Sequence, residues 1–75
     1  MTMGEKIVRA RRSRRWSQTE LAVRVHVTQA EISRLESGVQ CNPTTEVLRQ
    51  LAITLGMSMD YLAGLYEEVE KAHAS

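Results

Sequence analysis

Apolar residues recur along the chain at three- and four-residue intervals, the spacing of short amphipathic helices. Met3, Ile7 and Ala10 share one face of a 3.6-residue wheel and predict a first helix over residues 3–14. Arg11 and Arg14 fall at the edges of that face, while Arg9 and Arg12 point away. Their stems can lie on apolar surface, but a guanidinium held there needs an acidic partner. Glu36, at the edge of a later inward face, is the candidate. Leu21, Ala22 and Val25 stripe a second helix over 18–25 and leave Val23 outward. Ile32 and Leu35 stripe a third over 29–36. Val47, Leu48, Leu51 and Leu55 mark a fourth over 44–55, with Arg49 and Ile53 on its far side. Leu62, Leu65, Tyr66, Val69 and His73 keep helical spacing in a fifth over 59–72, where Gly64 is a weak point. The predicted fold is all-α, a compact five-helix bundle.

Polar punctuation sharpens the middle of this pattern. Ser17-Gln18-Thr19-Glu20 reads as a capping box, and Thr28-Gln29-Ala30-Glu31 reads as a second. Trp16 with Leu21, and Val27 with Ile32, stand where hydrophobic staples would flank those boxes. Only a tight turn fits between the two helices, which makes a helix-turn-helix. His26 falls at the left-handed position of that turn, usually a glycine. Its place in the turn accounts for it better than a metal or catalytic role. Gly38 and Gly56 read as helix stops, Asn42-Pro43 as the cap and first residue of the fourth helix, and Ser58 as the cap of the fifth.

The third helix is the most informative. Gln29, Ala30, Ser33 and Arg34 centre opposite Ile32 and Leu35. Solubility alone would be served by Lys and Glu. An amide, a methyl, a hydroxyl and a guanidinium are instead the groups that read base edges in a major groove. Ser17 and Gln18 open the second helix, where backbone amides and the helix dipole favour a phosphate.

Charge follows the same division. Residues 1–38 carry a balance of +4 within a chain of net charge +1, and five arginines fall between Arg9 and Arg15. RARRSRR alone is most simply a solvated helix face; beside a helix-turn-helix it points to a polyanion. The 75-residue length allows one small domain with a thin core, filled by aliphatics and Met because Phe is absent. A lone Cys41 excludes an internal disulfide framework. No signal peptide pattern appears, and no apolar run approaches the ~18 residues of a membrane helix. A soluble, cytoplasmic protein without a membrane partner is expected. There is no Ser/His/Asp or Cys/His arrangement, phosphate-cradling glycine loop or metal-ligand spacing, so neither an enzyme nor a cofactor is expected.

WSQTELAVRVHVTQAEISRLESG resembles the phage repressor/Cro-type helix-turn-helix, also called the xenobiotic-response-element type. The likeness runs from about Gly4 to Gly64. It rests on Ser17, Gln18, Leu21 and Ala22, on Ile32, Ser33, Glu36 and Gly38, on Asn42-Pro43, and on Leu55-Gly56 with Ser58, Asp60 and Leu62. It implies a lambda-repressor-like domain over 1–64 that puts the third helix in the major groove of double-stranded DNA. Gln29, Ala30, Ser33 and Arg34 would then face bases. Ser17 and Gln18 would grip phosphate with Ser37 and Asn42, Thr28 would touch the backbone while capping its helix, and Arg11 and Glu36 would form a buried ion pair. Arg15 and His26 stand where relatives often carry glycine, and Arg15 could add a phosphate contact. Ala10 is smaller than the usual Leu. The loop GVQCNP lacks the basic residue many relatives place on phosphate.

The functional expectation is a transcriptional regulator, a repressor on a palindromic operator, acting as a homodimer. Residues 65–75 would form a helical tail serving the dimer through Leu65, Tyr66 and Val69, together with Ile53, or would fold back on their own domain. The alternative is a protein-interaction module of the same fold, such as an antitoxin, docking a partner through its acidic tail.

Overall fold

Among the described residues, every helix of the computed structural model starts on a hydroxyl. The structure describes residues 1–40 and 42–64. Helices α1 (Met3–Ser13), α2 (Gln18–Val25), α3 (Gln29–Ser37), α4 (Thr45–Leu55) and α5 (Met59–Ala63) follow the N-caps Thr2, Ser17, Thr28, Thr44 and Ser58. Each cap oxygen accepts the backbone N–H three residues on, a contact worth about 1 kcal/mol. Each satisfies an amide that no carbonyl of the helix can reach.

Several expectations change. The box at Ser17 is complete: its hydroxyl accepts from Glu20 N, and Glu20 Oε1 accepts from Ser17 N at 2.7 Å. The one at Thr28 is made on one side only: Glu31 N donates to Thr28 Oγ1, and no bond returns to the Glu31 carboxylate among the described residues. A second complete box lies instead at Thr2 and Glu5. The fourth helix is capped by Thr44, not Asn42, because the Thr44 hydroxyl lies 3.2 Å from Val47 N. Pro43 therefore sits in the approach to the cap. The fifth helix ends at Ala63 with Gly64 left-handed (φ 93°), so it is shorter than predicted. Cys41 and the tail residues, including Leu65, Tyr66, Val69 and His73, lie outside the described residues.

The core joins all five helices: Ile7 from α1, Leu21 and Val25 from α2, Ile32 and Leu35 from α3, Leu51 and Leu55 from α4, and Leu62 from α5. Trp16 and Val27, the proposed staple residues, pack against it from its edge, as do Met3, Ala10, Val47 and Leu48. Helix α3 packs on α1 and α2, and α4 packs on α5, α2 and α1. Among the described residues, no helix is long and apolar enough to cross a membrane.

Two buried residues in α1 carry no apolar signal. Gly4 faces α3 so closely that a Cβ would lie 2.6 Å from the Leu35 carbonyl oxygen, with the Glu36 carbonyl beside it. Lys6 is buried, its Nζ donating to the Tyr61 carbonyl at 2.5 Å and lying 4.4 Å from the Tyr61 ring centroid. It ties α1 to α5.

The capping carboxylates set a pH response. Glu20 is held below the ordinary glutamate value of 4.5, first by the Ser17 backbone N–H and then by its hydroxyl. Glu5 is lowered in the same way by Thr2, and Glu46 by the Arg49 side chain. Groups whose values fall on folding add stability that is fully present above the unfolded value and is lost as pH falls through the folded one. The midpoint of a circular-dichroism melt is therefore expected to fall as pH drops below 4.5. Glu20→Gln is expected to reduce that fall. An unchanged acid slope in the variant would remove the Ser17–Glu20 box from the account.

Candidate nucleic-acid interface

The turn between α2 and α3 consists of His26, Val27 and Thr28. His26 takes the left-handed conformation, φ 63° and ψ 39°, and its N–H reaches the Ala22 and Val23 carbonyls. Val27 N donates to the Ala22 carbonyl at 3.0 Å. A residue with a Cβ loses about 1–2 kcal/mol in this conformation, which the closed turn holds in place. Arg15, before α2, is left-handed as well (φ 59°). Both were the positions where the sequence replaces an expected glycine.

With Ile32 and Leu35 buried, α3 turns the opposite side outward. Gln29, Ala30 and Arg34 are exposed, and Ser33 is half-buried at the margin. The four residues expected to face bases therefore lie together on the outward side of α3. Gly38 ends the helix left-handed (φ 87°), and Gln40 N donates back to the Arg34 carbonyl at 3.1 Å. Ser37 Oγ donates to the Arg34 carbonyl and accepts from Val39 N, so this hydroxyl serves the end of α3. Asn42 is exposed in the loop that follows.

A chain of side chains runs beneath this face. Arg11 Nε donates to Glu36 Oε2 at 2.7 Å, and its Nη2 donates to Oε1 at 3.1 Å. Their side chains are 11 % and 6 % exposed, so the predicted ion pair is present, bidentate and buried. Arg11 Nη1 also donates to the Trp16 carbonyl at 2.8 Å, joining α1 to the start of α2. Gln18 Nε2 donates to Glu36 Oε1 at 2.9 Å, and Gln29 Nε2 donates to Gln18 Oε1 at 2.6 Å. The sequence assigns Gln18 to a phosphate; in the structure its amide links both helices of the motif to the ion pair. Charge complementarity suggested the pair, but nothing in the sequence marked the link from Gln18 to Glu36.

Basic side chains surround the start of α2. Arg24 lies 4.2 Å and Arg14 5.7 Å from the Trp16 ring, so the indole is flanked by two guanidinium groups. Arg14 needs no carboxylate: Nη2 donates to the Leu55 carbonyl at 3.0 Å, at the negative end of α4. Arg9, Arg12 and Arg15 are exposed. Among the described residues, no cluster of His, Cys, Asp and Glu is placed to hold a metal. An exposed polar face and a cationic surround together suit a polyanion of regular shape.

Comparison with known proteins agrees with this geometry. A helix-turn-helix family model matches residues 7–62. Among solved structures, the chain is similar to the N-terminal DNA binding domain of SinR from Bacillus subtilis. That likeness has 28% sequence identity and a TM-score of 0.75, and covers 80% of this chain and 87% of that one. No curated protein matches. With its two helices, their tight turn and its bundle all in place, the chain belongs to the helix-turn-helix family of the Cro and phage-repressor type.

Proposed function

We propose that this protein is a sequence-specific DNA-binding regulator of transcription, with α3 lying in a major groove. The observation that carries the reading is the outward face of α3. Gln29, Ala30 and Arg34 are exposed opposite buried Ile32 and Leu35, with Ser33 at the margin. Their chemistry suits adenine, the thymine methyl and guanine. The similar SinR domain is a DNA-binding domain by name, which supports the same partner here. Ser17 and Gln18 at the start of α2, with Thr28, Arg15, Ser37 and Asn42, are assigned to the sugar–phosphate backbone. Their part is to fix register, not to read sequence.

A domain of this size covers little DNA on its own, and selective binding at cellular salt needs more contact. Two copies about a two-fold axis would set their recognition helices about 34–36 Å apart on a palindrome. Ile53 is 65% exposed on α4, which supports assigning it to the dimer surface, and the tail residues Leu65, Tyr66 and Val69 are assigned there with it. In this reading residues 1–64 bind DNA, residues 65–75 complete the dimer, and occupying a promoter in the cytoplasm represses it.

Selection of bound sites from random duplex DNA tests these points together. An enriched palindrome, with affinity falling steeply as salt is added, is expected. Arg34→Ala should cost about 1–3 kcal/mol on the selected site and relax preference at one base pair. Equal weakening on selected and random duplexes would make Arg34 a phosphate contact. Tight, salt-insensitive binding to a protein and none to DNA would favour an interaction module.

A further inference from the structure

The buried ion pair and the exposed reading face are joined by an unbroken hydrogen-bonded chain, Arg11–Glu36–Gln18–Gln29. We propose that Glu36 is a positioning residue for base reading: it fixes which end of the Gln29 amide faces Gln18 and which is left for a base. This inference rests on the DNA-binding reading above.

Donor chemistry carries the argument. An ionised carboxylate only accepts hydrogen bonds, whereas a glutamine amide donates at one end and accepts at the other. Glu36 Oε1 lies 2.9 Å from the Gln18 amide, so the NH2 end of Gln18 must face it. The reverse orientation would press two oxygens together. The Gln18 carbonyl end is thereby turned to Gln29, and because that oxygen only accepts, Gln29 must offer its own NH2 end, at 2.6 Å. Two glutamines alone could pair in either sense. One carboxylate, itself held by two bonds from Arg11, removes that freedom at both.

The consequence is directional. Gln29 keeps its second N–H on the side of Gln18 and its Oε1 on the far side. Across a major groove, adenine presents N7 nearest its own strand and the N6 amino group further in. Nε2–H to N7 and Oε1 from N6–H therefore match an adenine on the strand bordering Gln18 and the start of α2. Thymine in that place offers a methyl and an acceptor, which match neither group in that order. Glu36 touches no base in this arrangement, yet it sets which strand must carry the adenine.

The test is site selection from random duplex DNA with the full chain, its Gln29→Ala variant, Glu36→Gln and Glu36→Asp. Glu36→Asp keeps a carboxylate for Arg11 but draws it back from Gln18. The unaltered chain should prefer adenine over thymine at one base pair, and Gln29→Ala should lose that preference. Both Glu36 variants should reduce it by about tenfold, leaving preference at the pair read by Arg34 in place. Full retention of the adenine preference overturns the proposal. So does equal loss at every position, which is what a purely structural Glu36 would give. Should the Glu36 variants fail to fold, nitrogen-15 spectra of the unaltered chain decide. The side-chain NH2 protons of Gln18 and Gln29 should exchange with water more slowly than those of a solvent-exposed glutamine, and equal rates overturn the link. Failure of the unaltered chain to enrich any duplex is a separate result, and it overturns the DNA reading itself.

Discussion

Glu36→Ala is expected to destabilise the protein by about 3–5 kcal/mol, the usual cost of stranding one member of a buried ion pair. Arg11 would keep its bond to the Trp16 carbonyl but would lose both bonds to the carboxylate. Its side chain is 11 % exposed, so the guanidinium could not be rehydrated without opening the contact between α1 and α3. Gln18 Nε2 would lose its acceptor in the same step. A domain of 75 residues has a total stability of roughly 4–11 kcal/mol, so this one truncation removes a large share of it. Urea unfolding followed by circular dichroism measures the change. The double variant Arg11→Met with Glu36→Leu provides the contrast, because replacing both partners by apolar side chains is often neutral. The double variant should recover most of the loss. A single-variant loss below about 1 kcal/mol, the range of exposed pairs, would mean that solvent reaches the site.

Gly4→Val should cost about 3 kcal/mol, at the upper end of overpacking effects. An alanine or valine in a helix normally improves on glycine or costs little, since glycine gives up more backbone freedom on folding. Here the added Cβ would meet the carbonyl oxygens of Leu35 and Glu36. These are backbone atoms, so no rotamer change relieves the contact. Helix α1 would have to move off α3, and that displacement would also lengthen the Arg11–Glu36 bonds. Gly4→Ala should show the same sign with a smaller value. A thermal midpoint that rises in Gly4→Ala would show that α1 can shift at no cost, contrary to the packing described.

Much of this architecture was legible in the residues. The period of apolar positions placed five helices within a residue or two at most ends, and the Ser17–Glu20 box marked the start of α2. Such features depend on neighbours within one turn, and a sequence displays its own neighbours. The misreadings have the same origin. Asn42-Pro43 and Thr44-Thr45 are both competent helix starts; where the helix begins depends on where α4 must meet the core, and Thr44 won. Glu31 has the spacing of a capping box, and its N–H meets Thr28, but among the described residues no bond returns to its carboxylate.

The candidate site divides in the same way. The outward face of α3 could be read from a wheel, because burying Ile32 and Leu35 leaves Gln29, Ala30 and Arg34 no other direction. The pairing of Arg11 with Glu36 was inferable from a charge lying near an apolar stripe, together with the family resemblance. The burial of Lys6 was not, because its partner is a backbone carbonyl 55 residues away, and carbonyls leave no mark in a sequence. Gly4 was silent for a related reason: a glycine does not announce whether it serves a turn or a close approach, and only the placement of α3 decides.

The sequence by itself determined the helices, their hydroxyl caps, the turn that joins α2 to α3 and the surface that α3 shows, all consequences of local spacing and polarity. Only the tertiary structure decided that Gln18 bridges Gln29 to a buried carboxylate. That bond joins residues 18 positions apart across two helices, and its existence depends on how three helices meet.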